Sequence, residues 1–366
     1  MKVPIIDLVR QHQGMEEELI QAFRKVLNSG QFILGDELEN FENEAASYLG
    51  VKYAIGVGNG TDALTLALHA LDVGQGDEVI TTPFTFFATA ETVAMRGAKP
   101  VFVDIEDATL NIDVLKIEER ITNRTKAILP VHIFGQGVKI ERILEIAKKY
   151  NLKVIEDTAQ GFGAKRNNKY LGTFGDAGTF SFFPTKNLSC LGDGGLITTN
   201  DENIAHKIKK LRVHGSPKKY YHEFLGYNSR LDALQAAFLT VKMKYIDKWN
   251  ARRREIASIY NSELSAYVRV PQVDEGNEHI YHQYTIRTEK RDDLMEFLAS
   301  RGISTQVHYP IPLHLQPALS YLGYKEGDFP VAEKAAKEVL SLPIFPEMTD
   351  SEIDYVVNTV KEFFRR

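Results

Sequence analysis

The chain has 366 residues, 43% hydrophobic and 25% charged, with 44 Lys and Arg against 49 Asp and Glu for a net charge of −5. That length suggests two domains at the usual ~100–200 residues each, and the slight acidity excludes broad nucleic-acid affinity, which needs a basic face. One cysteine, Cys190, excludes an internal disulfide and a multi-cysteine metal site, so no metal is expected; no run approaches the ~18 apolar residues of a membrane helix, and Asp7 comes too early for a signal peptide, so a cytoplasmic location is expected.

Residues 14–28 set Met15, Leu19, Ala22, Phe23, Val26 and Leu27 three and four apart, which predicts an amphipathic helix ending at Ser29-Gly30. A second helix over 36–49 repeats the pattern through Leu38, Phe41, Ala45 and Tyr48, with Gly50 as its stop. From Tyr53 the texture changes to short apolar runs alternating with helical stretches. Strands are predicted at 53–57, 77–81, 100–103, 127–131 and 153–156, and helices at 61–71, 85–96, 113–120 and 140–150. That alternation implies parallel crossovers and a mainly parallel α/β sheet flanked by helices, with ligands beyond the C-terminal strand ends. Asn59-Gly60-Thr61, Pro83 to Phe86, His132 and Asp157 fall on that edge.

Further along, a strand is predicted at 194–199, a helix at 201–211 and a long polar loop over 212–230, a length that is usually functional or mobile. A long helix over 231–264, bent or broken near 247–250, then links to a smaller α/β unit. That unit reads as a strand at 281–288, a helix at 291–300, a strand at 303–308, a Pro-rich loop at 310–317 and helices at 330–340 and 349–364. The division expected is a large domain over 1–245 and a small C-terminal domain over 246–366.

Two stretches carry the chemistry. Val154-Ile155-Glu156-Asp157 delivers an acid at a buried strand end, and Phe180-Ser181-Phe182-Phe183-Pro184-Thr185-Lys186 delivers a lysine in a setting that limits its hydration. Desolvation lowers an amine's pKa and favours the neutral nucleophile. An amine that attacks an aldehyde and an acid that keeps a pyridine nitrogen protonated are what a pyridoxal 5'-phosphate enzyme needs. Each residue also has a bland reading. Asp157 suits a turn or helix cap, Gly60-Thr61 a strand–helix turn made for packing, and Ser181 a hydroxyl bonded to a backbone carbonyl. The phosphate reading of Gly60-Thr61 rests on the free amides of a helix N-terminus.

Taken together, Asn59-Gly60-Thr61-Asp62-Ala63-Leu64, Glu156-Asp157-Thr158-Ala159-Gln160, Phe180 to Leu188 with Gly192-Asp193-Gly194-Gly195, and Asn228-Ser229-Arg230-Leu231-Asp232 resemble the DegT/DnrJ/EryC1/StrS sugar aminotransferases over nearly the whole chain. The resemblance implies fold type I and an aminotransferase that takes nitrogen from L-glutamate, releases 2-oxoglutarate, and places the amine on a keto sugar linked to dTDP or UDP. It implies Lys186 as the lysine that carries the cofactor and shuttles the proton, and Asp157 as the pyridinium partner. Phe86 is implied as the ring stacked on the cofactor, Gln160 as its neighbour, and Gly60, Thr61 and Ser181 as phosphate contacts. Asn228 is implied to reach the phosphate from the other subunit of a homodimer with shared active sites, and Arg230, His308 and Tyr309 to lie near the substrate.

In this family Gly-Asp-Gly-Gly, as at 192–195, is similar to members acting at the sugar C3, whereas Thr-Thr-Gly-Glu-Gly-Gly accompanies C4. The readings kept beside it are a C4 enzyme, a non-catalytic regulatory protein on the same fold, and an ordinary amino-acid aminotransferase. The last lacks recognisable paired arginines for a dicarboxylate.

Overall fold

The computed structural model describes all 366 residues. Its strands are β1 (Tyr53–Val57), β2 (Glu78–Thr81), β3 (Lys99–Phe102), β4 (Thr125–Ile128), β5 (Lys153–Asp157), β6 (Lys165–Arg166), β7 (Lys169–Tyr170), β8 (Ala177–Ser181), β9 (Gly195–Thr199), β10 (Asn277–Glu278), β11 (Tyr284–Arg287) and β12 (Val339–Leu342). Seven of them form one sheet in the order β1-β9-β8-β5-β4-β2-β3. The run β3, β2, β4, β5, β8 is parallel throughout. Only β9 opposes its neighbours, β8 and β1. Strands β8 and β9 are apolar or hydroxyl-bearing and almost wholly buried, as expected of a sheet covered by helices on both faces.

Register fixes the functional edge. Asp157 ends β5 opposite Thr179, and Ser181 ends β8 opposite Gly195, which also faces Val57 at the end of β1. The antiparallel β9 therefore begins where its parallel neighbours finish. Chain segments converge tightly there: a Cβ on Gly195 would lie 2.3 Å from the Asn59 carbonyl oxygen, so only glycine fits.

Separate apolar clusters fill the two ends of the molecule. Ile55, Leu66, Val79, Leu129, Ile155 and Ile197 pack with the helix Gly60–Ala70 on one face of the sheet. Phe41, Phe180, Phe182, Leu196 and Leu239 pack on the other, under the N-terminal helices. A further core joins Ile256, Tyr260, Tyr284, Leu298, Leu340 and Val356 around the β11–β12 pair, and Val3 belongs to it. The Val3 amide donates to the Gly302 carbonyl at 2.9 Å, so the first residues strap onto the C-terminal part. No helix is long and apolar enough to cross a membrane.

Four sequence expectations need correction. The helix expected at 113–120 is two 3₁₀ turns, Val114–Lys116 and Glu118–Arg120. Val114 and Ile117 are buried at a spacing of three, which a 3₁₀ turn satisfies as well as an α-helix does. Residues 303–308 make only isolated bridges, Ile303 to Val3 and Gln306 to Ser341, because the N-terminal strap and β12 each take one point of contact. The helix expected to 340 ends at Glu338, and the buried run Val339-Leu340-Ser341-Leu342 pairs with β11 instead. Finally, the long linking helix is two, Ala233–Met243 and Ile246–Leu264, broken at Lys244-Tyr245 rather than at 247–250.

Candidate active site

A cavity of about 590 Å³ opens at the C-terminal edge of the sheet, between it and the C-terminal part of the chain. Helix Gly60–Ala70 points its N-terminus at this space. The Asn59 side chain accepts from the Asp62 amide at 2.8 Å, which leaves the Gly60 and Thr61 amides without intrahelical partners. Those two residues and Ser181 line the cavity together. A Cβ on Gly60 would fall 2.6 Å from the Ser181 Cβ, so glycine is what lets strand and helix end close into one cradle for an anion. Gly60→Ala is expected to force them apart, at a cost of about 1–3 kcal/mol. Cofactor phosphate binding should weaken about 10-fold or more as a result, measured by equilibrium dialysis against pyridoxal phosphate.

Asp157 is buried beside the cradle. Thr89 donates its hydroxyl to Asp157 Oδ2 at 2.8 Å and the Ala159 amide donates to Oδ1 at 3.2 Å. Burial still raises its pKa above the ordinary carboxylate value, with those donors and Lys186 opposing. Lys186 lies across the same cavity, where burial lowers its pKa to about 8 against the pull of Asp157. The chain thus sets an acid at the end of β5 and a readily deprotonated amine in the turn that follows the neighbouring parallel strand β8.

The carboxylate next to Asp157 has a different task. Glu156 is wholly buried on the other face of β5. It accepts from His132 Nε2 at 3.0 Å and from the amides of Gly172, Phe174 and Gly175 at 2.9, 2.7 and 2.8 Å. Burial alone would raise its pKa, but these donors outweigh it and the value falls. Glu156 is a structural anchor for the strand that carries Asp157.

The other predicted residues divide. Phe86, Gln160, His308 and Tyr309 line the cavity. Phe86 is 60% exposed, with its ring on the cavity wall. Gln160 Oε1 accepts from the Phe134 amide at 2.6 Å while its Nε2 donates to the Tyr309 hydroxyl at 2.9 Å, so the amide is held flat against the wall. His308 Nδ1 pairs with Ser341 Oγ at 2.9 Å, and burial lowers its pKa to about 4. Asn228 and Arg230 do not line this cavity; Asn228 is exposed in the 212–230 loop, held by a bridge to Val213. Sequence reasoning missed Thr89, Arg253 and His282. Thr89 sat unread in a helix one turn after Phe86, and the other two come from distant parts of the chain with no local motif. Cys190 is buried and its thiol pKa is pushed up, which fits a packing role.

An anion cradle at a helix N-terminus, a strand-end acid and a lysine of lowered pKa, all on one cavity, fit pyridoxal phosphate and define an enzyme of that class. The chain belongs to the DegT/DnrJ/EryC1/StrS aminotransferase family, whose model matches residues 13–361. It is 48% identical over 362 residues, covering 99% of both chains, to the dTDP-3-amino-3,6-dideoxy-alpha-D-galactopyranose transaminase of Aneurinibacillus thermoaerophilus. It is 52% identical over 369 residues, 100% of this chain and 99% of the other, to a Geobacillus stearothermophilus protein named pleiotropic regulatory protein. Among solved structures, S. venezuelae DesV in complex with a ketimine intermediate matches with a TM-score of 0.98 and 40% identity, covering 100% of this chain and 99% of that one.

Proposed function

We propose that the enzyme moves an amino group from L-glutamate to the ketone of a dTDP- or UDP-linked sugar, at C3 in preference to C4. The observation that carries the reading is the shared cavity of Lys186, Asp157 and the Gly60–Thr61–Ser181 cradle. The 3-amino product in the name of the Aneurinibacillus relative, together with Gly192-Asp193-Gly194-Gly195, supports C3.

Pyridoxal phosphate supplies an electron sink when bound, so that a proton can leave the carbon that bears the nitrogen. Lys186 takes that proton and returns it on the other side of the exchange. Asp157, steadied by Thr89, holds the proton of the ring nitrogen, and Gly60, Thr61 and Ser181 bind the phosphate. Phe86 and the Gln160–Tyr309 pair confine the ring, while Tyr309 and His308 face the substrate. Asn228 reaches the phosphate of a second copy in a homodimer with shared sites, and Arg230 lies near the substrate; the position of both outside the cavity of their own chain supports a shared site. The division into a 1–245 domain and a 246–366 domain is supported by the distinct cores of the seven-stranded sheet and of the β11–β12 pair, with Val3 as a strap, although a further core joins Phe84, Phe102 and Val131 to Leu313, Phe329 and Ala336 across that boundary. The single buried cysteine is in keeping with the cytoplasm.

The name of the Geobacillus relative favours a second reading, a regulatory protein without turnover. Against it stands a complete set of chemical groups held at a desolvation cost that a mere binding fold has no need to bear. One experiment separates the readings. The cofactor-loaded protein is mixed with L-glutamate while visible absorbance is recorded, then with 3-keto and 4-keto sugars on dTDP and UDP with mass detection. The aminotransferase reading requires the absorbance band to shift with glutamate and an aminated 3-keto sugar nucleotide to appear; amination of free 2-oxo acids alone would overturn it.

The lowered Lys186 pKa gives a pH prediction. The neutral amine predominates above about 8, so the rate at which the cofactor-free protein takes up pyridoxal phosphate should rise with pH through that value and then level off. Stopped-flow absorbance checks it.

A further inference from the structure

His282 is buried, lines the cavity, and is joined to the residue that follows the catalytic lysine. A chain of side-chain amides fixes how it is protonated. Asn250 Nδ2 donates to the Phe162 carbonyl at 3.3 Å, so Asn250 Oδ1 is the atom that accepts from Asn187 Nδ2, at 2.8 Å. Asn187 Nδ2 also points to the Ile280 carbonyl at 3.5 Å, which leaves Asn187 Oδ1 to face His282 Nδ1 at 3.1 Å. An amide oxygen only accepts, so His282 carries its proton on Nδ1. Its other nitrogen, Nε2, is then a bare lone pair with no protein partner, on the cavity wall that Lys186 shares.

We propose that His282 is a positioning residue for Lys186: its Nε2 accepts a hydrogen bond from the lysine amine as that amine carries the proton during the exchange. A lysine that shuttles a proton needs an acceptor in its charged state. Asp157, whose oxygens accept from Thr89 and Ala159, is committed in the proposed mechanism to the ring nitrogen. The free lone pair on His282, one residue along from Lys186 through the Asn187 link, supplies another.

The surroundings keep that lone pair available. Lys186, Arg253 and His308 face the imidazole from three different segments, and Asp157 and Asp193 are the carboxylates on the same cavity. Burial first, then these three neighbours, hold its pKa well below the ordinary histidine value, so it stays neutral across the working range of pH.

Three measurements test this. In protein labelled with ¹⁵N-histidine, the His282 signals, assigned by their loss in His282→Gln, should show a protonated Nδ1 and a bare Nε2 from pH 6 to 8.5; an Nε2–H tautomer or an imidazolium would overturn the proposal without any assay of turnover. His282→Leu should lower kcat of the glutamate half-reaction and of the sugar half-reaction alike, by about 10–100-fold, whereas His282→Gln, whose amide can donate to Asn187 and still offer an oxygen, should recover most of it. Equal losses in the two variants would reduce His282 to a packing residue. Asn187→Asp places a negative charge on Nδ1–H and favours the imidazolium, so a new acid limb should appear in its kcat profile and activity should return as pH rises; a profile of unchanged shape would count against the proposal. If His282→Leu does not fold, the NMR result on the unaltered protein decides.

Discussion

Lys186→Ala is expected to reduce transamination by at least about 10⁴-fold while the fold survives. In the proposed mechanism the amine attacks the cofactor aldehyde and moves the proton, and no other lysine lines the cavity. The glutamate-dependent absorbance change and the mass-detected amino sugar should disappear together, because both halves of the exchange use the same amine. A variant that kept more than a tenth of the activity would remove Lys186 from the mechanism. Stability should move the other way. Burial lowers the folded pKa to about 8 from the ordinary lysine value of 10.5, so below about pH 8 both folded and unfolded chains are protonated and the folded one bears the full cost of a buried charge. Between the two values the unfolded state binds more protons, and stability rises with pH. Lys186→Ala escapes this cost. Its urea midpoint at pH 7 should therefore match or exceed that of the unaltered protein, and any advantage should shrink towards pH 10.5. Such a gain on losing a functional group is the usual mark of a strained active site.

The parts that the sequence made legible share a physical cause. Parallel strands buried on both faces leave continuous apolar runs, and glycine turns that must approach a neighbouring backbone admit no other residue, so β1 to β5 and the edge that carries Gly60, Asp157 and Ser181 could be placed from pattern alone. Lys186 stood out because its neighbours are apolar. Reading became harder where structure depends on partners distant in sequence. Val339 to Leu342 is helix-like in its local pattern and becomes a strand only because β11 lies beside it. Ile303 to His308 has the composition of a strand but meets only the N-terminal strap and one residue of β12. Asn228 and Arg230 were legible only through resemblance, since nothing in their own chain shows what they face. Glu156 was read as part of a strand and no more; its four donors come from the loop between β7 and β8 and from a histidine that no spacing rule brings together.

That buried carboxylate supports the second large prediction. Glu156→Ala should destabilise the protein by about 3–5 kcal/mol in urea unfolding at pH 7, since removing one member of a buried, hydrogen-bonded set strands the others. The amides of Gly172, Phe174 and Gly175 and the ring of His132 would lose their acceptor at once. The nearly isosteric Glu156→Gln should not rescue it. If the amide nitrogen takes the place of Oε1 it confronts the Phe174 and Gly175 amides; if it takes the place of Oε2 it confronts Gly172 and His132. His132 has no easy way to adapt, because its Nδ1 already accepts from the Val138 amide at 3.2 Å and its proton must stay on Nε2. Each stranded donor costs about 1–3 kcal/mol, so the glutamine variant should lose at least about 2 kcal/mol. The pH dependence follows from the lowered folded pKa. Stability due to the ionised Glu156 is fully present above the unfolded value of about 4.3 and is lost as pH falls through the lower folded value. The gap between the unaltered protein and Glu156→Ala should therefore be constant from pH 5 to 8 and narrow in more acid solution. A Glu156→Gln variant within about 0.5 kcal/mol of the unaltered protein, the size of a surface substitution, would show that the loop amides find other acceptors and that β5 does not depend on this anchor. If the anchor matters as its contacts indicate, the glutamine variant should also bind pyridoxal phosphate less tightly, because the strand it loosens ends in Asp157.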